Sequence, residues 1–166
     1  MSDNAGDKPG PGGQAHAGCP IIVAGHLCLD IAPDLSERRG AFSKSIEPGQ
    51  LINTGPAKIG PGGCVANTGL AVLRLGQTVR LLGKIGADGF GDAIRRSLEE
   101  RKQGLGDWLH VARDEASSYT LVFDPPDEDR MFFHYPGVND TFSPADVQAV
   151  LDAQRGARPG IFHFGI

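Results

Sequence analysis

Five residues stand out for the chemistry that their types and spacing allow. Gly62 and Gly63 are adjacent, and Asn67 follows four positions later. A glycine pair can take positive φ and exposes main-chain N–H groups, because no Cβ keeps a ligand away. An amide in the first turn of a helix starting there lies where unpaired N–H groups face outward and polar ligands gather. Asp30 comes shortly after the apolar run Ile21-Ile22-Val23-Ala24-Gly25. A carboxylate at the carboxyl end of a buried parallel strand can accept hydrogen bonds from two vicinal hydroxyls. Asn139 ends Pro136-Gly137-Val138-Asn139, a turn able to present its amide to a ligand. Each feature also has a plainer reading: a tight turn and a buried helix locally capped by Asn67, a solvated loop acid at Asp30, and an ordinary turn asparagine at Asn139.

The elements that must position these residues follow from periodicity. Residues 21–25 are continuously apolar, as in a buried parallel strand. From Val65 to Leu73 apolar residues recur at helical spacing, and Gly76 stands where a left-handed stop is expected. Residues 78–83 read as a second strand, Phe90, Ile94 and Leu98 as one face of a helix to about Lys102, and Trp108-Leu109-His110-Val111 as a short third strand. The pattern then changes to alternation. Tyr119, Leu121 and Phe123 alternate with Thr120 and Val122, and beyond a Pro-Pro-Asp-Glu-Asp turn Met131, Phe133 and Tyr135 alternate with Phe132 and His134, which predicts an antiparallel hairpin. Strand-like pieces also occur around residues 41–46 and 50–54. Ser143-Pro144-Ala145-Asp146 predicts a capped helix start, and residues 160–166 a terminal strand. Residues 1–18 lack periodicity and apolar content and are expected to form a disordered tail.

Several classes are excluded. The formal charge of −4 and the lack of a Lys/Arg cluster argue against nucleic acid. Lys84 after Gly83 is followed by Ile85, so no phosphate loop of the Walker type exists, and Gly25-His26-Leu27-Cys28 does not fit a dinucleotide fingerprint. Five dispersed histidines and three cysteines without C-x-x-C spacing suggest neither a metal site nor a disulfide framework. No apolar run approaches membrane-spanning length, so no membrane partner and a reducing cytoplasmic setting are expected.

Gly62-Gly63, Asn67, the Arg74-Leu75-Gly76 helix end and the run Gly83-Lys84-Ile85-Gly86-Ala87-Asp88-Gly89-Phe90-Gly91 together resemble the N-terminal signature of the ribokinase-like PfkB carbohydrate kinases, with Ala87 in place of the first acid. The resemblance runs from Ile21 to Ile166. It implies an α/β fold: a Rossmann-like, mostly parallel sheet with flanking helices, plus a small antiparallel β lid from segments about 34–59 and 117–135, with the C-terminal half of the fold missing. Residues 19–166 would then be the N-terminal part of a ribokinase-like domain. It further implies transfer of the ATP γ-phosphoryl group to a hydroxyl of a sugar or nucleoside. Asp30, Gly62, Gly63, Asn67 and Asn139 would bind substrate, and a second copy of the chain could dock through the lid. ATP and Mg²⁺ would serve the full-length enzyme, with neither bound by this stretch alone. The family's Gly-Ala-Gly-Asp helix start and Asn-x-x-Glu motif do not occur, so no catalytic residue is expected and the chain alone should not phosphorylate sugars. The alternative is a non-catalytic sugar-binding or lid-mediated assembly module.

Overall fold

The computed structural model describes residues 20–37, 42, 46–154 and 160–165. In chain order the elements are β1 (Ile21–Gly25), β2 (Cys28–Asp34), β3 (Gly55–Gly62), α1 (Gly63–Arg74), β4 (Val79–Leu82), β5 (Lys84–Gly86), α2 (Gly89–Arg101), β6 (His110–Ala112), β7 (Tyr119–Phe123), β8 (Met131–Tyr135), α3 (Pro144–Ala153) and β9 (Ile161–Gly165). A 3-10 turn, Gly137–Asn139, precedes α3.

β1 is the centre of a parallel sheet ordered β4-β1-β9. Its side chains alternate between two cores, as a strand covered on both faces requires. Val23 packs with Val65, Leu81, Ile94 and Leu98 beneath α1 and α2. Ile22 and Ala24 pack with Leu82, Trp108 and Val150 beneath α3. The helix ends follow local chemistry. Gly76, at φ 77°, donates to Leu73 O and Gln77 donates to Val72 O, a Schellman stop for α1. The Asp88 carboxylate caps α2 through Gly91 N at 2.8 Å. Ser143 and Asp146 form a capping box at α3.

The lid is a four-stranded sheet ordered β3-β2-β7-β8. β2 pairs antiparallel with β3, β7 antiparallel with β8, and β2 parallel with β7. It is therefore mixed rather than purely antiparallel. The β7–β8 hairpin forms as its alternation predicts. The other half differs from expectation. Residues 50–54 form no strand, most of 41–46 lies outside the described residues, and the lid strands form on either side of that segment, at Cys28–Asp34 and Gly55–Gly62. Glycine and proline in Gly55-Pro56-Ala57-Lys58-Ile59-Gly60-Pro61-Gly62 disguise β3 as loop, yet backbone pairing to β2 organises it. The third strand also moves: Trp108 and Leu109 are buried ahead of β6, which pairs with β5 in a separate two-stranded sheet. Residues 1–18 lie outside the described residues.

Candidate substrate site

Three chain crossings between the lid and the parallel sheet meet at one place. His26-Leu27 is all that separates β1 from β2, and β3 runs into α1 without a linker. The two crossings are tied together where Val65 N donates to His26 O at 3.1 Å. The third crossing is the turn after β8. There the Asn139 amide grips Leu27, its oxygen accepting from Leu27 N at 3.2 Å and its nitrogen donating to Leu27 O at 3.0 Å.

Gly62 and Gly63 serve different needs at the second crossing. Gly62 closes β3 with extended backbone (φ −121°), so the expected turn does not exist as a separate element. Its lack of a side chain leaves room for the Asp30 carboxylate, which occupies the volume a Cβ would take. Gly63 has φ +81° and its Cα faces His26 O, so it needs glycine both for conformation and for space. Asp30 itself lies within β2 rather than in a loop after β1. Because α1 starts at Gly63, Asn67 opens the second turn rather than the first, and it is exposed.

The lid presents a polar row. Across the four strands Gly60 is opposite Asp30, Asp30 opposite Thr120, and Thr120 opposite His134, so all four share one face of the sheet. Cys28, two residues before Asp30, belongs to that face as well. A chain of hydrogen bonds runs alongside: Cys28 Sγ to Asp30 Oδ1 at 3.3 Å, Thr120 Oγ1 to Cys28 Sγ at 3.6 Å, and Thr120 Oγ1 to His134 Nδ1 at 3.0 Å. An ionised carboxylate only accepts, so the thiol proton goes to Asp30, the Thr120 proton to sulfur, and the remaining bond is donated by His134 Nδ1–H. Burial, with Asp30 adding to it, pushes the Cys28 thiol up to about 12, and burial also raises Cys64. Both stay protonated at neutral pH, which removes thiolate chemistry from the site.

A cavity of about 330 Å³ opens here, lined by Gly25, His26, His134, Pro136, Asn139, Asp140, Phe142 and Phe164. The His26 and His134 rings meet edge to face with centroids 5.2 Å apart. His26 Nε2 is buried without a hydrogen-bond partner. Burial lowers the His26 pKa, His134 lowers it further, and Asp30 opposes them, so His26 is neutral at pH 7. Behind the cavity loop the buried Lys84 pairs with Glu115 at 2.8 Å and donates to Thr141 Oγ1 at 2.8 Å, bracing the turn that carries Asn139 and Asp140. Among the described residues no cluster of three or more His, Cys, Asp or Glu side chains is arranged to hold a metal ion, and no helix is long and apolar enough to cross a membrane.

Of the five residues expected from sequence, Asp30, Gly62 and Gly63 come together, Asn139 lines the cavity while holding Leu27, and Asn67 stands one turn along α1. His26, Cys28, Thr120 and His134 were not anticipated. The alternation in the hairpin already set Thr120 and His134 on one face; the missing signal was that Cys28 and Asp30 lie on a paired strand.

The arrangement is an α/β one: a parallel sheet flanked by helices and joined to a mixed β sheet, with a polar cavity where the two sheets meet. The chain belongs to the pfkB family of carbohydrate kinases, whose model matches residues 23–157. It is 30% identical over 149 residues to probable fructokinase-3 of Arabidopsis thaliana, covering 87% of this chain and 38% of that protein. Against fructokinase-2 of Solanum lycopersicum it is 30% identical over 148 residues, covering 87% and 40%. The chain thus spans about two-fifths of the length of these relatives. Among solved structures, Arabidopsis thaliana ribokinase complexed with ribose and ATP superposes with a TM-score of 0.64 at 19% identity, covering 88% of this chain and 45% of that one. Halothermothrix orenii fructokinase gives 0.61 at 20%, covering 87% and 45%. These likenesses establish the ribokinase-like fold.

Proposed function

We propose that this chain is the substrate-binding part of an ATP-dependent carbohydrate kinase that phosphorylates a hydroxyl of a sugar or nucleoside. The observation that carries the reading is the Asp30 carboxylate seated against Gly62, one residue ahead of α1 and beside the end of β1. A carboxylate fixed there accepts from two neighbouring hydroxyls and orients the ring. Asp30, Gly62, Gly63 and Asn67 form the clamp; Asn139, whose amide holds Leu27, is a weaker addition at its margin. The lid over this end keeps water from the transferred phosphoryl group.

ATP and Mg²⁺ serve the whole enzyme. The described residues do not fit them: no Lys or Arg lines the cavity, and Asp140 does. Phosphoryl transfer needs charge neutralisation that this lining cannot supply, so these residues alone bind neither and catalyse no transfer. Residues 19–166 act as one substrate-side unit with lid segments near 34–59 and 117–135.

The test uses the purified chain with ATP, Mg²⁺ and a panel of sugars and nucleosides. The expected result is saturable binding of a sugar or nucleoside, abolished by Asp30→Asn, with no sugar phosphate formed. Binding unaffected by Asp30→Asn refutes the clamp, and turnover refutes the inactivity. The second reading, a lid-mediated assembly module, draws on the exposed Ile59, Phe132, Phe133 and Tyr135 of the lid, where a second copy can dock.

A further inference from the structure

We propose that Lys84 is a positioning residue for the cavity: acting through Thr141 and Glu115, it sets the turn that carries Asn139, Asp140 and Phe142. The inference rests on the substrate-site reading above for the site that this turn serves.

Lys84 opens β5 and buries its ammonium, with 6% of the side chain exposed. An ammonium has three N–H donors and no acceptor, and out of water each needs a partner. One goes to Glu115 Oε1 at 2.8 Å and another to Thr141 Oγ1 at 2.8 Å, while Thr141 O lies at 3.4 Å and Asp146 Oδ1 at 4.0 Å. Asp146 is also 3.3 Å from His110 Nε2 and forms part of the capping box of α3. Thr141 Oγ1 touches Glu115 Oε2 as well and lies 3.1 Å from Val138 O. Lys84 and Glu115 thus converge on one hydroxyl in the turn. The cost of desolvating two charges offsets most of their attraction, so such a pair is weak as a source of stability and better suited to fixing one geometry.

The geometry fixed here is that of the cavity wall. Asn139, Asp140 and Phe142 line the cavity, and Thr141 between them is directed to Lys84 instead. The turn is also seated on residues 115–118. Val138 N donates to Ala116 O at 3.0 Å, and Gly137, at φ +52°, approaches Ala116 O more closely than a β-carbon would allow. Ser118 continues the link, its carbonyl accepting from Leu29 N at 3.0 Å and its hydroxyl donating to Tyr135 O at 2.9 Å. Leu27, two residues before Leu29, is the residue that Asn139 grips. The turn, residues 115–118 and the β1–β2 crossing therefore close a ring of contacts, and Lys84 anchors that ring to β5.

The test is amide hydrogen exchange followed by NMR on the chain, with binding of D-fructose, D-ribose and inosine measured beside it. Leu27 N–H, bonded to the Asn139 side chain, and Val138 N–H, bonded to Ala116, report opening of the turn, while the buried Leu98 in α2 reports opening of the fold. Thr141 is exposed, so Thr141→Val removes the hydroxyl with little loss of packing. It should speed exchange at Leu27 and Val138 by about tenfold or more, as expected for a lost hydrogen bond to a charged group, and leave Leu98 unchanged. Thr141→Ser should restore the wild-type rates. Lys84→Met should open the turn in the same way, because Glu115 is 33% exposed and stays hydrated without its partner. Whichever probe the wild type binds should bind more weakly to Thr141→Val and recover in Thr141→Ser. Unchanged exchange at Leu27 and Val138 in both Thr141→Val and Lys84→Met overturns the proposal. Acceleration that includes Leu98 to the same degree overturns it too, since the cluster would then support the fold at large, and so does a turn that opens with sugar affinity intact. A wild type that binds no probe refutes the substrate-site reading, and the exchange rates still decide whether Lys84 sets the turn.

Discussion

The carboxylate of Asp30 occupies the space over Gly62 that a β-carbon would fill. One residue is a substrate candidate, and the other is glycine because of it. Replacing Gly62 by alanine forces Asp30 out of place or β2 away from β3. Overpacking of this kind costs about 1–3 kcal/mol. We expect Gly62→Ala to abolish sugar binding, and a double-mutant cycle with Asp30→Ala read in unfolding free energy to show strong coupling, because the clash disappears when the carboxylate is removed. A Gly62→Ala variant that binds sugar normally would mean that Asp30 does not need its observed position.

Asn139 carries a different expectation. As a ligand residue alone it could be replaced without effect on stability. The structure makes it a latch between the turn after β8 and the β1–β2 crossing, with two part-buried hydrogen bonds to Leu27. Asn139→Ala should therefore lower the unfolding free energy by about 1–3 kcal/mol, read as a reduced denaturant midpoint with unchanged slope. Asn139→Asp should be worse, since it sets a carboxylate against Leu27 O. An unchanged midpoint in both variants would return Asn139 to a purely ligand-facing role.

Much of this was legible in the sequence where pattern and structure share a period. The apolar run of β1, the helical spacing of α1 and α2, the alternating hairpin and the Ser143-Pro144 cap all state their element locally. β3 does not, because five of its eight residues are glycine or proline and its conformation comes from pairing with β2. Missing β3 hides the role of β2, and with it the row that joins Asp30 to Thr120 and His134. Gly62 and Gly63 were identifiable as a pair, but not that one clears space for a carboxylate while the other accommodates a positive φ. His26 gives no sequence signal, since its role depends on a two-residue crossing between sheets.

Asp88 supplies a pH-dependent term. Partial burial works to raise its pKa, but the N–H groups of Gly91 and Ser117 outweigh that and hold it below its ordinary value. A folded-state pKa depressed below the unfolded value means the stabilisation is complete above the unfolded value, about 3.9, and is lost as pH falls through the folded one. Asp34, Glu99, Glu115 and Asp146 shift in the same direction, so the wild type measures their sum. The difference from Asp88→Ala isolates this residue. Near neutral pH the variant should be less stable by about 1 kcal/mol, the value of a helix cap, and the gap should narrow as pH drops below 4. A gap that stays constant with pH would assign the loss to packing instead.

Two surfaces compete to bring copies of the chain together, and edge chemistry separates them. β3 forms one lid edge, but Pro56, Pro61 and Lys58 interrupt and charge it, which guards a strand against pairing. β9 has neither protection. Among the described residues it pairs with β1 alone, its sequence is Ile-Phe-His-Phe-Gly, and Ile161, Phe162 and Phe164 are 58%, 45% and 55% exposed. An apolar strand with a free edge is a template for further pairing. Sedimentation of the chain should therefore show association that rises with concentration. Ile161→Lys and Phe162→Lys should suppress it, while Phe133→Lys on the lid should not. The reverse pattern, with association lost through the lid substitution and kept in the β9 variants, would place the contact on the lid and favour the assembly reading. A chain that stays monomeric across the micromolar range would show that neither surface is sticky enough to act alone.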